Sequence, residues 1–581
     1  MEFMQTDNLV ISTLSPVHVG CGEDFIPTEY VVDTLGTLHS FEPAALAILK
    51  SSENISSEII AALNKGTPHE QLRAVHATLQ KHRDEISVTA RTQVKLASGV
   101  FSHYKKTQDS RNDFNKNGVE RTSYNPIDQI PILPGSSLKG SIRTAILNAR
   151  KPGRPVLSEQ LVKQIVTFNM MVEEYQADGK RQLRLKINHS KRDYEQARKD
   201  IERTLARQAG NLGEYLLGGK FATDPLRALK ISDACSLYPR LEREIRFCVN
   251  RNRMGRKSQA QSKGLYTRLE YITEHQPALF EVAITLQNLS SIAGQRKQNG
   301  ELVAPLEVNL TSMPEIIRAC NDYYLPRLDN DLKLSKTLHP GSVWATTTES
   351  IMDSGLREEI KSGKVILLRV GKHGGADNNT IDGRQIKIML SEDKRQLHGG
   401  KTENIRLYVF DIEPRTTWFS TDDIEKPSDL LPHGWIVMSQ SAASWIKLLP
   451  GYIRRKDREF KIQEKEQYDL QVEAQERQKA EEAAALQASL AAMTPNLRAI
   501  EELRTEIEIK TRAGIKLKIS NDFWGGRIKK LAELALASPE WSATEKTALA
   551  DMLQEWAGKL MALEAKELRK QLKLAALRGL T

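Results

Sequence analysis

Residues 130–147 read IPILPGSSLKGSIRTAIL, and this stretch organises the interpretation of the whole chain. It opens with a short apolar run, which Pro134–Gly135 then break as a tight turn. Beyond the turn, four apolar residues recur at the spacing of one helix face: Leu138, Ile142, Ala145 and Ile146. The stretch therefore predicts a strand, a glycine turn and an amphipathic helix.

The start of this helix carries the features of an anion site. Ser136 or Ser137 can cap the helix through a side-chain oxygen, and Gly140 leaves the first turn bare for the approach of another backbone. Lys139 and Arg143 lie four residues apart and share a face. Free amides and the helix dipole favour an anion at such a position. A capped helix with two solvated cations explains the same residues equally well.

The composition is that of a globular protein of about two to four domains. The 581 residues are 40% hydrophobic and carry a net charge of +10, which permits a polyanionic partner without requiring one. The four cysteines, Cys21, Cys235, Cys248 and Cys320, form no CxxC pair, so we expect reduced thiols in the cytoplasm. We expect neither a signal peptide nor a membrane span, because no apolar run is long enough.

The helix motif resembles the hallmark of a known family. The stretch LPGSSLKGSIRTAIL is similar to the signature of the RAMP superfamily, and specifically of the Csm subunit five family of type III-A CRISPR interference complexes. LSPVHVG at 14–20 and EYVVD at 29–33 resemble the opening of the same family, and LKISD at 229–233 resembles a later strand that ends in Ser-Asp. The resemblance covers roughly residues 8–450.

The resemblance implies an α+β fold with two ferredoxin-like (RRM-like) RAMP domains. We assign these domains to residues 1–154 and 229–450, and a helical insertion to 155–228. Residues 451–581 are predicted to form an α-helical C-terminal extension. Its first part, 452–494, lacks Gly and Pro and predicts a long charged helix, and Trp524, Trp541 and Trp556 are candidates for a small helical core.

Three further stretches suit single-stranded RNA. Residues 98–125 show no helical or strand period and interleave cations with aromatic rings, and 246–263 read as a basic loop. The strand 365–370 runs into a glycine-rich loop whose bare amides suit a phosphate, and this loop also resembles one that contacts guide RNA in the family. Disordered or solvated surface loops, or a plain β-turn, are the alternatives. The predicted RNA contacts are His18, Gly135, Ser136, Ser137, Lys139, Gly140, Arg143, Lys105, Lys106, Arg111, Arg121, Arg251, Arg253, Lys372 and His373.

The sequence contains no recognised catalytic motif, and no metal site or cofactor is expected. The resemblance implies a non-catalytic RNA-binding subunit that caps the filament at the 3′ end of the guide RNA (crRNA) and supports crRNA maturation in antiviral defence. It implies crRNA, target RNA and neighbouring Csm backbone subunits as partners, with host nucleases as further candidates. Two alternatives stay open. One is a RAMP endoribonuclease that uses His18 or His39 with Tyr30, and the other is an adaptor whose helical tail recruits proteins.

Overall fold

The computed structural model divides into two compact units, Met1–Lys456 and Asp457–Thr581, and each is described by itself. Between residues 459 and 488 only scattered residues are described. The described ranges are 4–64, 66–108, 117–151, 157–177, 180–217, 224–253, 266–288, 312–396, 402–440, 444–457, 492–514, 516–518, 521–560 and 565–580.

The first unit is an α+β structure, as predicted. Its described strands are β1 (Met4–Thr13), β2 (Gly20–Phe25), β3 (Tyr30–Val32), β4 (Thr37–Ser40), β5 (Thr92–Leu96), β6 (Val119–Thr122), β7 (Val172–Ala177), β8 (Lys180–Leu185), β9 (Leu229–Ile231), β10 (Cys235–Ser236), β11 (Arg243–Asn252), β12 (Tyr266–Ile272), β13 (Phe280–Gln287), β14 (Val365–Arg369), β15 (Ile386–Gln396), β16 (Thr402–Asp411), β17 (Thr416–Thr421) and β18 (Trp435–Ser439). Its described α-helices are α1 (Ser52–Leu63), α2 (Pro68–Lys81), α3 (Arg83–Ile86), α4 (Ser98–Gln108), α5 (Gly135–Ala149), α6 (Glu159–Asn169), α7 (Lys191–Leu217), α8 (Met313–Leu338), α9 (Val343–Ile351) and α10 (Arg357–Lys361).

The first sheet has the strand order β10–β13–β1–β18–β14, and β9 also pairs with β13. Its central part, β9–β13–β1–β18, is antiparallel throughout. Because α5 lies between β1 and β9 in the chain and α8 lies between β13 and β18, this part has the strand and helix order of a ferredoxin-like sheet. The predicted ferredoxin-like fold is confirmed here.

The sheet does not follow the predicted division into residues 1–154 and 229–450. Ile11 of β1 lies opposite Phe280 of β13 on one side and Met438 of β18 on the other. The N-terminal strand is therefore central in a sheet whose other strands all come from the later segment. The physical reason is that the end of β1, residues 11–13, is buried, and buried backbone N–H and C=O groups need hydrogen-bond partners on both sides of the strand.

Helices α5 and α8 contribute to the same core cluster as this sheet. The predicted apolar stripe of α5 is confirmed, since Leu138, Ile142, Ala145 and Ile146 are all buried. Tyr324 of α8 joins the cluster and donates its hydroxyl to the carbonyl of Ser141 at 3.1 Å. Helix α5, which contains the motif, therefore packs against both the sheet and a second helix.

The second sheet has the order β2–β6–β12–β11–β5–β4–β3, with β17 also paired to β11. It too combines strands from both predicted domains, because β11 pairs with β5 in parallel and with β17 in antiparallel orientation. Within the predicted insertion 155–228, α6 and α7 surround the hairpin β7–β8. Leu161 of α6 and Tyr194 of α7 share an apolar cluster with Leu407 of β16.

The second unit is helical, as predicted, and has its own apolar core. Trp524 and Trp541 are buried in that core and Trp556 packs against it. The predicted long helix 452–494 lies largely outside the described residues. The described helices are Pro495–Arg512, Lys530–Ala537, Ala543–Met552, Gly558–Leu560, Ala565–Gln571 and Leu574–Leu577, with π-helical turns at Trp524–Lys529 and Leu553–Ala557. No helix among the described residues is long and apolar enough to cross a membrane.

Candidate nucleic-acid interface

The helix of the motif, α5, begins without a serine cap. Pro134 is the N-cap residue and no side chain of the predicted pair, Ser136 or Ser137, caps the helix. Instead the amide of Gly135 donates to Oδ1 of Asp233 at 2.8 Å. The predicted serine cap is wrong, because the chain after β9 supplies a carboxylate to the helix start. A negative charge is favourable there, so Asp233 occupies one position that an anionic ligand would take.

The two glycines of the motif have different surroundings. A Cβ atom on Gly135 would lie 2.4 Å from the carbonyl oxygen of Ile231 and 2.6 Å from that of Ser232. At Gly140 no described atom beyond the adjoining backbone of α5 lies within 4 Å of such a Cβ. Gly140 thus has the bare surroundings that were predicted, but no other described backbone approaches it, whereas the carbonyls of Ile231 and Ser232 approach Gly135. Gly140 is exposed and remains open to a ligand.

The two cations of the motif are both engaged within the protein. Nζ of Lys139 donates to the carbonyl of Leu229 at 2.8 Å, and partial burial lowers the pKa of this ammonium. Nη1 of Arg143 lies 2.7 Å from Oδ2 of Asp224, while 41% of the arginine side chain stays exposed. Both cations tie α5 to the segment that enters β9. Their contact with phosphate stays a prediction, and it would involve the exposed side of these groups.

The glycine-rich loop after β14 meets the link between β1 and β2. The amide of Lys372 donates to the carbonyl of His18 at 2.9 Å. Gly371 adopts a φ of +82°, and a Cβ there would lie 2.2 Å from the same carbonyl, so only glycine fits. The ammonium of Lys372 pairs with Glu120 of β6 and is 44% exposed. Two predicted RNA contacts that are 354 positions apart in the chain thus lie side by side.

The histidines of this site are neutral at pH 7. His18 is buried, its Nδ1 lies 2.9 Å from the carbonyl oxygen of Glu270, and desolvation lowers its pKa. Burial lowers the pKa of His373 to about 4, and its ring lies 4.7 Å from that of Trp418. Neither ring carries the positive charge that would attract phosphate. Their chemistry is hydrogen bonding and ring stacking, and Lys372 supplies the charge.

Arg121 of β6 is largely covered by its neighbours. Its guanidinium lies 3.7 Å from the ring centroid of Tyr124 and 4.5 Å from that of Phe25. Nη2 donates to Oε1 of Gln129 at 3.0 Å, and only 11% of the side chain is exposed. Contact with RNA would therefore require this arginine to leave its stacked position.

The predicted basic loop 246–263 is wrong in its first part, because β11 runs to Asn252. Arg251 lies on this strand and donates from Nη2 to the carbonyl of Ile424 at 3.0 Å. Arg253 follows the strand, and its Nη2 lies 2.6 Å from Oδ2 of Asp377 in the glycine-rich loop. Arg253 is therefore joined to the same loop as Lys372, whereas residues 254–265 lie outside the described ones.

The absence of regular structure predicted for 98–125 is also wrong. Residues 98–108 form α4 and residues 119–122 form β6. Lys105 and Lys106 are exposed on α4, and the ammonium of Lys105 lies 3.9 Å from the ring centroid of Phe101. Arg111 lies outside the described residues. The short apolar spacing of Val100 and Tyr104, both buried, is a helical signal that the polar composition conceals.

Sequence reasoning missed the residues of α8 that hold the glycine-rich loop. Nε of Arg327 donates to the carbonyl of Asp377 at 3.1 Å, and its Nη2 lies 2.6 Å from Oδ1 of Asp382. The hydroxyl of Tyr323 donates to the carbonyl of Thr380 at 2.8 Å. Their spacing of four places both on one helix face, but no local pattern identifies the loop as their partner.

The residues of the endoribonuclease alternative have separate partners. Tyr30 is buried and donates its hydroxyl to the carbonyl of Asn117 at 2.9 Å, and burial raises its pKa. His39 pairs with Asp33 at 3.0 Å. No hydrogen bond between described residues joins His18, His39 and Tyr30 to one another. In the part of the chain that the structure describes, no three His, Cys, Asp or Glu side chains are arranged to hold a metal ion.

Comparison with known proteins gives one family match. The model of the RAMP superfamily matches residues 10–308. A chain of a Csm–crRNA–target RNA ternary complex from a type III-A CRISPR–Cas system is 15% identical, with a TM-score of 0.39 over 75% of this chain and 100% of that one. Csm5 of T. onnurineus is 14% identical, with a TM-score of 0.38 over 63% of this chain and 89% of that one. No curated protein matches the sequence.

Proposed function

Because the chain belongs to the RAMP superfamily, we propose that it is a non-catalytic RNA-binding subunit of a type III-A CRISPR effector complex. In this role it caps the filament at the 3′ end of the crRNA and supports crRNA maturation in antiviral defence. Its partners are the crRNA, the target RNA and the neighbouring Csm backbone subunits. Host nucleases are further candidate partners.

The observation that carries the proposal is the meeting of the glycine-rich loop with the β1–β2 link. There the backbone of Lys372 is bonded to that of His18, and Arg253 reaches the same loop through Asp377. Three segments that are distant in the chain therefore adjoin, with Lys372 and Arg253 partly exposed and the side chain of His18 buried. Such an arrangement suits a nucleic-acid backbone, because it brings the partly exposed cationic groups of Lys372 and Arg253 to the same loop.

We assign a separate role in RNA binding to each of these residues. Lys372 attracts phosphate, and its present partner Glu120 is exchanged for the RNA. Neutral His373, beside Trp418, offers a ring face for stacking and a nitrogen for hydrogen bonding. Lys139 and Arg143 provide a second pair of cations on α5. None of these contacts reads a base edge, so binding is independent of guide sequence.

The test is co-purification of the tagged protein from its native host, followed by sizing and sequencing of the bound RNA. For the wild type we expect crRNA of uniform length together with Csm subunits. Lys372→Ala removes the charge of the loop and should leave less RNA, with a ragged 3′ end. Lys364→Ala is the matched control, because it removes an exposed lysine at the opposite end of β14.

A second pair of variants addresses α5. Arg143→Ala removes both the charge and the bond to Asp224, whereas Arg143→Lys keeps the charge. If phosphate attraction matters at this position, Arg143→Lys should retain more RNA than Arg143→Ala, with both variants folded by circular dichroism. A wild-type protein that brings down neither RNA nor Csm subunits would contradict the proposal.

A further inference from the structure

Acidic and basic residues are unevenly distributed along the second compact unit. Residues 457–581 contain 21 Lys or Arg and 21 Asp or Glu, so the unit has no net charge. Residues 510–530, KTRAGIKLKISNDFWGGRIKK, nevertheless hold seven of the basic residues and a single acid, Asp522. We call residues 510–530 the basic segment. The cations of this unit are concentrated there, and the remainder of the unit is acidic.

Packing holds the two ends of the basic segment together. It connects the end of the helix Pro495–Arg512 to the π-helical turn Trp524–Lys529. Nζ of Lys510 lies 4.8 Å from the ring centroid of Phe523, and the guanidinium of Arg527 pairs with Glu506. The end of the helix and the following turn therefore lie side by side, which brings Lys510 of the helix and Arg527 of the turn to the same part of the unit.

A third helix end supports the middle of the basic segment. The amide of Leu517 donates to the carbonyl of Leu560 at 3.0 Å, and Nζ of Lys516 donates to the carbonyl of Lys559 at 2.7 Å. Lys559 brings a further ammonium, which lies 4.1 Å from the ring centroid of Trp556 and is paired with Glu555 at 3.4 Å. Because a backbone carbonyl rather than a carboxylate accepts from Lys516, its charge is not neutralised.

Several cations of the basic segment are exposed and unneutralised. Ion pairs among the described residues involve Arg512, Arg527 and Lys529. None involves Lys518 or Lys530, which are both exposed. Gly525 and Gly526 are exposed, and apart from the adjoining backbone of their own turn no described atom lies within 4 Å of a Cβ built on either. The backbone between the cations is thus open to the close approach of an extended ligand.

We propose that the basic segment binds single-stranded RNA through its phosphates. A chain of regularly spaced phosphates matches cations that are spread over two helix ends and the loop between them. The open glycines favour a thin, flexible polyanion over the surface of a folded acidic protein. This surface lies outside residues 10–308 and does not depend on the function proposed for the first unit.

The test measures binding of the full-length chain to a fluorescein-labelled 20-nucleotide oligouridylate as a function of salt. Lys518→Ala/Lys530→Ala removes two phosphate contacts. Each contact contributes about 0.7 to the slope of log affinity against log salt, so the slope should fall by about 1.4. At 0.1 M salt, a slope change of 1.4 corresponds to an affinity loss of about 25-fold.

The control is Arg498→Ala/Lys546→Ala, which removes the same charge. Arg498 lies in the first turn of the helix Pro495–Arg512, and Lys546 lies in the helix Ala543–Met552, whose Glu545 accepts a hydrogen bond from Thr494. Because both are at the end of the first helix that is remote from the basic segment, slope and affinity should be unchanged. Three results would overturn the inference: a wild type that does not bind the oligouridylate, equal effects of the two double variants, or equal displacement by poly-L-glutamate, which would indicate an acidic protein ligand. Lys372→Ala serves to separate the two proposals. If it weakens binding while the basic-segment variant does not, only this inference fails.

Discussion

Gly135→Ala should destabilise the first unit, whereas Gly140→Ala, the same change five residues later in α5, should stabilise it. A methyl group at 135 meets two backbone carbonyls, those of Ile231 and Ser232, at 2.4 and 2.6 Å. Backbone cannot rotate away as a flexible side chain can. The helix start and the strand end at β9 must therefore move apart.

The magnitude follows from three contributions. Overpacking of a close contact costs about 1–3 kcal/mol. Separation also weakens the bond from the amide of Gly135 to the carboxylate of Asp233, and a hydrogen bond to a charged group contributes about 1.5–3 kcal/mol. Alanine returns up to about 1 kcal/mol through its higher helix propensity. The free energy of unfolding should thus fall by about 2–5 kcal/mol for Gly135→Ala.

At Gly140 only the propensity contribution applies, because no described atom beyond the adjoining backbone of α5 lies within 4 Å of the added methyl group. Gly140→Ala should therefore raise the free energy of unfolding by about 1 kcal/mol. Hydrogen exchange measured by mass spectrometry on peptides from α5 gives the opening free energy of this helix. Amides of the helix Pro495–Arg512, in the second compact unit, serve as an internal reference that neither substitution should change.

The reasoning would be refuted if Gly135→Ala left the protection of α5 equal to that of the wild type. It would also be refuted if both substitutions shifted α5 in the same direction, because helix propensity alone would then account for the data. A loss of protection in the reference helix would show a general unfolding rather than a local clash.

Three further outcomes are expected. Burial lowers the pKa of His275 to about 4, so below pH 6.5 the unfolded chain takes up a proton that the folded chain does not, and stability falls by about 3 kcal/mol towards pH 4. His275→Asn should flatten the pH dependence of the urea midpoint over this range. Arg369→Leu leaves the buried carboxylate of Asp331 without its ion pair and should cost about 3–5 kcal/mol in urea unfolding, of which Asp331→Asn in the same chain should restore part. Asp233→Asn removes the charge at the start of α5 but keeps an acceptor, so thermal unfolding should report a loss of about 1 kcal/mol.

The local features of this protein are readable from its sequence. The apolar stripe of α5 is one example, because a spacing of three and four residues determines which side chains share a helix face. The helices of the second unit are another, since Pro495 opens the first of them and the tryptophans predicted for its core contact that core. Where a mixed composition obscures the period, as in α4, the same reasoning fails.

Tertiary structure alone decided what those elements contact. The amide of Gly135 at the start of α5 donates to Asp233, Arg143 pairs with Asp224, and the backbone of Lys372 bonds to that of His18. Each pair is separated by about eighty residues or more, so no local pattern links its members.

The arrangement of the sheets follows the same rule. The sequence identifies β1 as a strand through its apolar and β-branched residues. Its neighbours, β13 and β18, begin more than 260 positions later. Strands pair through backbone hydrogen bonds, and nearly every residue carries the same backbone groups. These hydrogen bonds therefore do not determine which strands become neighbours. That choice is made by the burial of the side chains on both faces of the completed sheet.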